Sequence, residues 1–405
     1  MTNPLPRRTL LAMLRRLLLS AWLGVRIASA AAAQSPTTAP ATRPGDDDIG
    51  VAVYVGDELL RAYRPESTLV TPVTIVKRAK FPAIDIHCHW TRRVEPAFLV
   101  AKMDAMNVSH AVNLSGGFGD EAFAMLERYN AHEFDGRLIT FVNLDFAGFD
   151  DSAWPDRMTT FLDEAHRRGA KGLKLFKDFG LTIRDASGAV IPVDHPRLDA
   201  VWSKCAQLGW PVLIHSADPV AFFRPTDERN ERWMQLRRHP SWSFHGPQFP
   251  GWDEVIAQRN RMIARHPRTQ FIVAHLGEAG HDLQTLASWL DTMPNMHVDL
   301  SGRENEFGRQ PFRARRFFIR YADRVLFGTD RYPGRIDQPR YTIYFRLLET
   351  EDEYFDYYDH PYPPAGEWKV YGLNLPDDVL RRIYRDNAAK LLKLQIPADA
   401  SEPAR

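Results

Sequence analysis

The stretch Phe81–Trp90, FPAIDIHCHW, is an apolar run that ends in two histidines separated by one residue, with an acid just before them. Successive side chains of a β-strand alternate between faces, so His87 and His89 are expected to share one face while Ile86 and Cys88 take the other. Two imidazoles on one face are half of a metal site. Nitrogen ligands of this kind suit zinc and its borderline neighbours, and a catalytic site needs a third or fourth ligand from elsewhere plus an open position. The rest of the chain can be searched for those partners.

The chain has 405 residues, 44% hydrophobic and 25% charged, which is enough for one large domain or two medium ones. Its net charge of +1 gives no nucleic-acid footprint. Two cysteines, Cys88 and Cys205, supply neither a disulfide framework nor a cysteine zinc site and read as two buried thiols. Residues 1–33 read as an export signal: Arg7, Arg8, Arg15 and Arg16 make a basic start, Leu17–Val25 an apolar region, and Ala31–Ala33 a small-residue cleavage site. The apolar run is short and Arg26 interrupts it, so no stable membrane anchor is expected. Arg7-Arg8 followed by Thr-Leu-Leu resembles a twin-arginine signal and points to a periplasmic or secreted protein. Residues 34–49 read as a flexible linker, 50–80 as a β extension, 81–396 as the main domain and 397–405 as a frayed tail.

After His89 the pattern settles into a rhythm. Apolar runs recur at His110–Ser115, Ile139–Phe146, Lys171–Lys177, Pro211–Ser216, Gln270–Leu276, Met296–Ser301 and Arg324–Asp330, making eight with the first. Between them lie segments of helical spacing, such as Glu121–Phe134, Arg157–Arg168, Pro196–Leu208, Trp252–His266 and Leu283–Met293. Parallel neighbours need a crossover that is usually a helix, and eight such units close into a (β/α)8 TIM barrel. Two long connections, 217–252 after the fifth strand and 331–372 after the eighth, are rich in aromatics and would emerge at the C-terminal mouth as lids. A closing helix is expected over Pro376–Leu394, capped by Asn374 or Asp377.

The remaining polar candidates stand at strand ends. His215 closes PVLIH, His275 closes FIVAH and Asp330 closes VLFGTD. A lone histidine after an apolar run is ordinarily a hydrogen-bonded structural residue. Four histidines and an aspartate delivered to one mouth by four strands form a site. Lys174 lies within the apolar run KGLKLFK, where an outward ammonium would be buried beneath a helix, so it is placed inward; Lys177, of opposite parity, is placed at the rim. Asp85 suits orientation of an imidazole. Asn143, Asp145, Asp299, Arg303 and Arg331 could line the mouth, with Arg303 and Arg331 suited to anchoring a substrate carboxylate, against structural ion pairing as the alternative.

FPAIDIHCH, LIHSADP, FIVAHLG, LFGTD and LPDDVLRRIYRDNAAKLL together resemble the amidohydrolase superfamily, in its amidohydrolase-related branch that includes the aminocarboxymuconate-semialdehyde decarboxylase type. The resemblance covers about Ala83–Leu394. It implies a divalent metal, one zinc ion by expectation, held by His87, His89 and His215 with Asp330 bound or beside it. His275 would move protons or polarise the substrate. In binuclear members of the superfamily a fourth-strand lysine is carboxylated and bridges two metals, which is the alternative role for Lys174.

The expectation is an exported metal-dependent hydrolase that cleaves a C–O or C–N bond beside a carbonyl in a small carboxylated, lactone or amide substrate. Its catalytic residues would be Asp330, His275 and Lys174, with metal-activated water as the attacking group. One alternative is non-oxidative decarboxylation of an aromatic or unsaturated acid at the same residues. Another is a non-catalytic barrel used as a ligand-binding module. The partner is a small molecule, with no nucleic acid, and a homo-oligomer is compatible with the sequence.

Overall fold

The eight apolar runs become eight strands: β1 (Ala83–Cys88), β2 (Val108–Asn113), β3 (Leu138–Val142), β4 (Gly172–Leu175), β5 (Val212–Ile214), β6 (Phe271–Val273), β7 (Met296–Asp299) and β8 (Val325–Leu326). The computed structural model describes residues 66–130, 134, 136–333, 339–358 and 363–395. Leu69–Arg405 forms one compact unit, while Met1–Thr68 forms another of which only 66–68 are described. The expected signal, linker and tail lie outside the described residues.

The strands are ordered β1 to β8, each parallel to the next. Backbone bonds from Ile86 N–H to the Phe327 carbonyl (3.0 Å), from Asp330 N–H to His87 (2.9 Å) and from His89 N–H to Arg331 (2.8 Å) join β8 back to β1. The result is the (β/α)8 barrel that the alternation calls for.

Helices α1 (Pro96–Met106), α2 (Gly119–Tyr129), α3 (Trp154–Arg167), α4 (Asp199–Leu208), α5 (Trp233–Arg238), α6 (Trp252–Arg265), α7 (Leu283–Thr292) and α8 (Pro311–Arg320) lie between successive strands, and α9 (Pro339–Glu349), α10 (Asp377–Arg381) and α11 (Asn387–Leu392) follow β8. In α3, Trp154, Met158, Phe161, Leu162 and Ala165 recur at helical spacing and are the buried face. Proline in its first turn and basic residues in its last suit the two ends.

Alternate strand positions feed two apolar clusters. Ile84, Ile86, Val112, Leu114, Ile139, Phe141, Leu213, Ile272 and Leu326 pack together inside the barrel, joined by Ala388, Ala389 and Leu392 of α11. Cys88, Ala111, Leu173, Leu175, Ile214, Val273 and Val298 point outward to the helices. Lys174, between Leu173 and Leu175, therefore points inward, as expected.

Several expectations need correction. Strict alternation in β1 fails because the register slips between Asp85 and Cys88, the mark of a bulge. Ile86 stays in the interior cluster and Cys88 in the outer one, so the extra residue is what brings His87 inward beside Ile86. The described part of the β extension, 66–80, carries no strand; Thr74 instead donates its N–H and hydroxyl to Asp352 at 2.7 and 2.8 Å. The closing helix starts after Pro376, with no side-chain cap, and is split by a π turn at Arg382–Asp386. There the Ile383 carbonyl accepts the Phe327 N–H at 2.9 Å, so the turn ties this helix to the end of β8. Tyr341, Tyr344 and Phe345, expected in a lid, are fully buried around Phe327. They form core because α9 continues an apolar face through what looks like loop in the sequence.

Candidate metal centre

His87 and His275 are held in one tautomer by acceptors behind them. Nδ1 of His87 lies 2.9 Å from Asp299 Oδ2, and Nδ1 of His275 lies 2.7 Å from the Ser301 carbonyl. Neither acceptor has a proton to give once Asp299 is ionised, so both Nδ1 atoms carry hydrogen, and in the neutral form of either ring Nε2 presents the lone pair. Burial opposes ionisation of Asp299, but the neighbouring His87 and hydrogen bonds from His87, Ser301 and the His275 backbone outweigh it and lower its pKa. Nδ1 of His89 lies 2.8 Å from the Ser115 hydroxyl, which can either donate or accept.

Asp330 closes the first cluster. Its Oδ1 lies 3.6 Å from His87 Nε2 and 3.4 Å from His89 Nε2. Burial pushes its carboxyl up, yet the two histidines, Arg340 and Arg331 hold it at about 2. Burial first, and the His87 charge second, bring His89 down to about 3. A carboxylate facing two imidazoles is a donor set suited to a divalent cation.

His215, expected in the same set, stands one step away. Its ring is 4.4 Å from that of His275, which in turn is 4.9 Å from that of His87. Nε2 of His215 lies 3.2 Å from Glu278 Oε1 and 3.6 Å from Asp218 Oδ1. Ligand-type atoms of His215, His275 and Glu278 form one group, and those of His87, His89 and Asp330 another. Burial disfavours the His215 charge, and the adjacent carboxylates of Asp218 and Glu278 more than reverse this, so its pKa is raised.

Glu278 is the residue that the strand-end pattern misses. It follows β6 in a left-handed turn that also contains His275 and Leu276, with φ of 61°, 58° and 53°. That turn redirects both His275 and Glu278 towards the barrel axis. An acid directly after the strand-end glycine in HLGE is the available signal. Asp299, expected only to line the mouth, proves to be the common anchor of His87 and of the His275 backbone.

Lys174 is 1% exposed, and its Nζ has no hydrogen-bond partner among the described residues. Burial lowers its pKa from 10.5 to about 8, against the pull of Asp299, Asp330 and Glu278. Arg303 is ion-paired to Glu278 and packed near Glu306, so the alternative to substrate anchoring, structural pairing, describes its present contacts. Asp85 reaches no imidazole; its oxygens accept from the His87 and Thr329 N–H groups, the Thr329 hydroxyl and Tyr341. The bulge in β1 accounts for this, because it leaves Asp85 on the outer side.

The mouth opens into a cavity of about 630 Å³ lined by His215, His275 and Asp330. Arg331 lines it as expected, with Lys177, Arg232, Arg238, Arg303 and Arg340. Phe222, Trp242 and Tyr357 bring apolar surface from the two long connections. Arg238 donates to the Pro363 carbonyl at 3.1 Å, and so joins one connection to the other. Asn230 holds the first connection together through the Ala221 and Pro225 carbonyls.

Among solved structures, the chain is similar to a 2,6-dihydroxybenzoate decarboxylase from Rhizobium, at 18% identity and a TM-score of 0.47 over 78% of this chain and 99% of that one. A dihydroxybenzoic acid decarboxylase from Polaromonas sp. JS666, with bound manganese and 2-nitroresorcinol, matches at 16% identity and 0.48 over 79% and 99%. A probable 2-pyrone-4,6-dicarboxylic acid hydrolase from Acinetobacter baumannii, with citric acid bound, matches at 12% and 0.44 over 77% and 99%. No curated protein matches the chain. The family model described as amidohydrolase matches residues 84–394, which spans every strand of the barrel from Ile84 onward and the closing helix, and the chain belongs to that family.

Proposed function

We propose that this barrel is a divalent-metal-dependent hydrolase acting on a small carboxylated substrate at a bond beside a carbonyl. The observation that carries the reading is the convergence of His87 Nε2 and His89 Nε2 on Asp330 Oδ1, the carboxylate of a residue that lines a cavity with a guanidinium-rich wall. A divalent ion held by His87, His89 and Asp330 would polarise a carbonyl and acidify water.

The chain's own residues supply the rest. Asp330, ionised at neutral pH, accepts a proton. His275 is kept neutral by burial and by the neighbouring His215 and Arg303, so its Nε2 can take a proton or receive a hydrogen bond from the substrate. Arg331 and Arg238 bring guanidinium groups to the cavity wall, a side chain suited to holding a carboxylate through two N–H bonds. The Lys174 ammonium sits inside the barrel near the charges of Asp299, Asp330 and Glu278 and offsets them. Phe222, Trp242 and Tyr357 exclude water from an aromatic or unsaturated body.

The test is elemental analysis of protein purified without chelator, beside a His87→Ala, His89→Ala variant, followed by a screen of lactones, amides and carboxylic acids in ¹⁸O-labelled water. Metal in the parent, lost in the variant, and label in the product support the reading. Release of CO₂ without label would replace hydrolysis by decarboxylation at the same site. Absence of metal from both proteins would overturn it.

A further inference from the structure

The buried carboxylate of Asp85 lies outside the cavity, and nothing in the proposed chemistry uses it. It is 0% exposed. Its Oδ1 accepts from His87 N–H at 3.0 Å and Thr329 N–H at 3.2 Å. Its Oδ2 accepts from the Thr329 hydroxyl and from Tyr341 Oη, each at 2.6 Å. One side chain thus grips β1 at the backbone of His87 and the end of β8 at two atoms of Thr329.

Thr329 immediately precedes Asp330, whose φ of 57° places a non-glycine residue in the left-handed region. That conformation is costly for an L-residue and persists where its surroundings over-determine it. Two restraints are evident. The Asp330 N–H donates to the His87 carbonyl at 2.9 Å, and the residue before it is clamped by Asp85. The β1 bulge is what separates the duties, since Asp85 is held on the outer side while His87 turns inward. Asp299 orients the His87 ring, whereas Asp85 holds the backbones that carry His87 and Asp330.

We infer that Asp85 is a positioning residue that acts through Thr329 to hold Asp330 in its left-handed turn, with its carboxylate facing His87 and His89. The inference rests on the reading of these three residues as metal-holding, but its own subject is the geometry of Asp330. The same clamp fixes the β1–β8 seam, the one join of the barrel made by strands from opposite ends of the fold.

The test uses the full chain carrying Asp85→Asn, Thr329→Val or Thr329→Ser. Asn presents an N–H₂ group where two hydroxyls now donate; Val keeps the shape of Thr329 and removes its hydroxyl; Ser restores the hydroxyl. In metal-free crystal structures of D85N and T329V, Asp330 is expected to abandon its left-handed φ and its carboxylate to move away from the two Nε2 atoms, with T329S unchanged. In solution the Co²⁺ absorption bands should shift and the Co²⁺ Kd should rise about 10- to 100-fold in D85N and T329V, with recovery in T329S. Unmoved Asp330 in T329V overturns the inference, even if the melting temperature falls, and this pair of Thr329 variants decides the matter if D85N fails to fold. A parent that binds no Co²⁺ would sink the functional reading alone, because the Asp330 geometry in the metal-free crystals still decides whether Asp85 positions it.

Discussion

Asp299 Oδ2 and His87 Nδ1 lie 2.9 Å apart with both side chains buried, and the other oxygen of the same carboxylate accepts the His275 and Ser301 backbone N–H groups at 3.0 Å. One carboxylate from β7 thereby sets the tautomer of a histidine from β1 and the backbone of another from β6. Asp299→Asn is expected to weaken divalent-metal affinity by about 10- to 100-fold with the far-ultraviolet circular dichroism unchanged. Competition against a fluorescent chelator measures it, and unchanged affinity would remove Asp299 from the site.

Lys174 should cost stability. Its pKa falls from 10.5 to about 8 in the fold, chiefly through burial. Below about pH 8 the folded state holds an ammonium that its surroundings disfavour, and between about pH 8 and 10.5 the unfolded chain binds a proton that the folded chain sheds. Stability of the metal-free parent therefore rises through that window. Lys174→Met should be more stable at neutral pH by about 3 kcal/mol, with the gap narrowing as pH climbs. Urea unfolding across this range measures it; a constant gap would mean that folding does not lower the Lys174 pKa.

Arg303 and Glu278 form a buried ion pair beside the cavity. Arg303→Met removes the guanidinium paired with the buried Glu278 carboxylate and should destabilise the fold by about 3 kcal/mol, and Arg303→Met with Glu278→Met should recover much of that loss. A single variant of parent-like stability that instead raises KM would restore Arg303 to the substrate-anchoring role.

Export is a further proposal, resting on the basic, apolar and small-residue order of the first 33 residues. Protein recovered from the native host should begin at Gln34, which N-terminal peptide mass spectrometry would show; an intact Met1 in mature protein would refute it.

The barrel can be read from the sequence because each strand is a short apolar run between periodic helices, a pattern local enough to survive without tertiary information. The inward direction of Lys174 is legible for the same reason, since Leu173 and Leu175 flank it. Parity fails at the two places where the backbone departs from its element. The bulge in β1 adds a residue that no periodic pattern reveals, so parity pairs Asp85 with an imidazole it does not touch. The left-handed turn after β6 brings Glu278 to His215, a relation fixed by φ rather than by spacing. Asp299 is visible as an acid at a strand end, but its double hydrogen-bonding role depends on neighbours from β1 and β6.

The seam between β1 and β8 has a consequence for how the protein comes into being. His87 and Asp330 enter the chain far apart, and the last helix supplies Ala388, Ala389 and Leu392 to the apolar cluster inside the barrel. The two halves of the proposed metal pocket can meet only after the chain has been made through Asp330, beyond all eight strands. A chain that stops short of Asp330 holds the histidines without their carboxylate, so a complete binding pocket is the signature of a closed barrel.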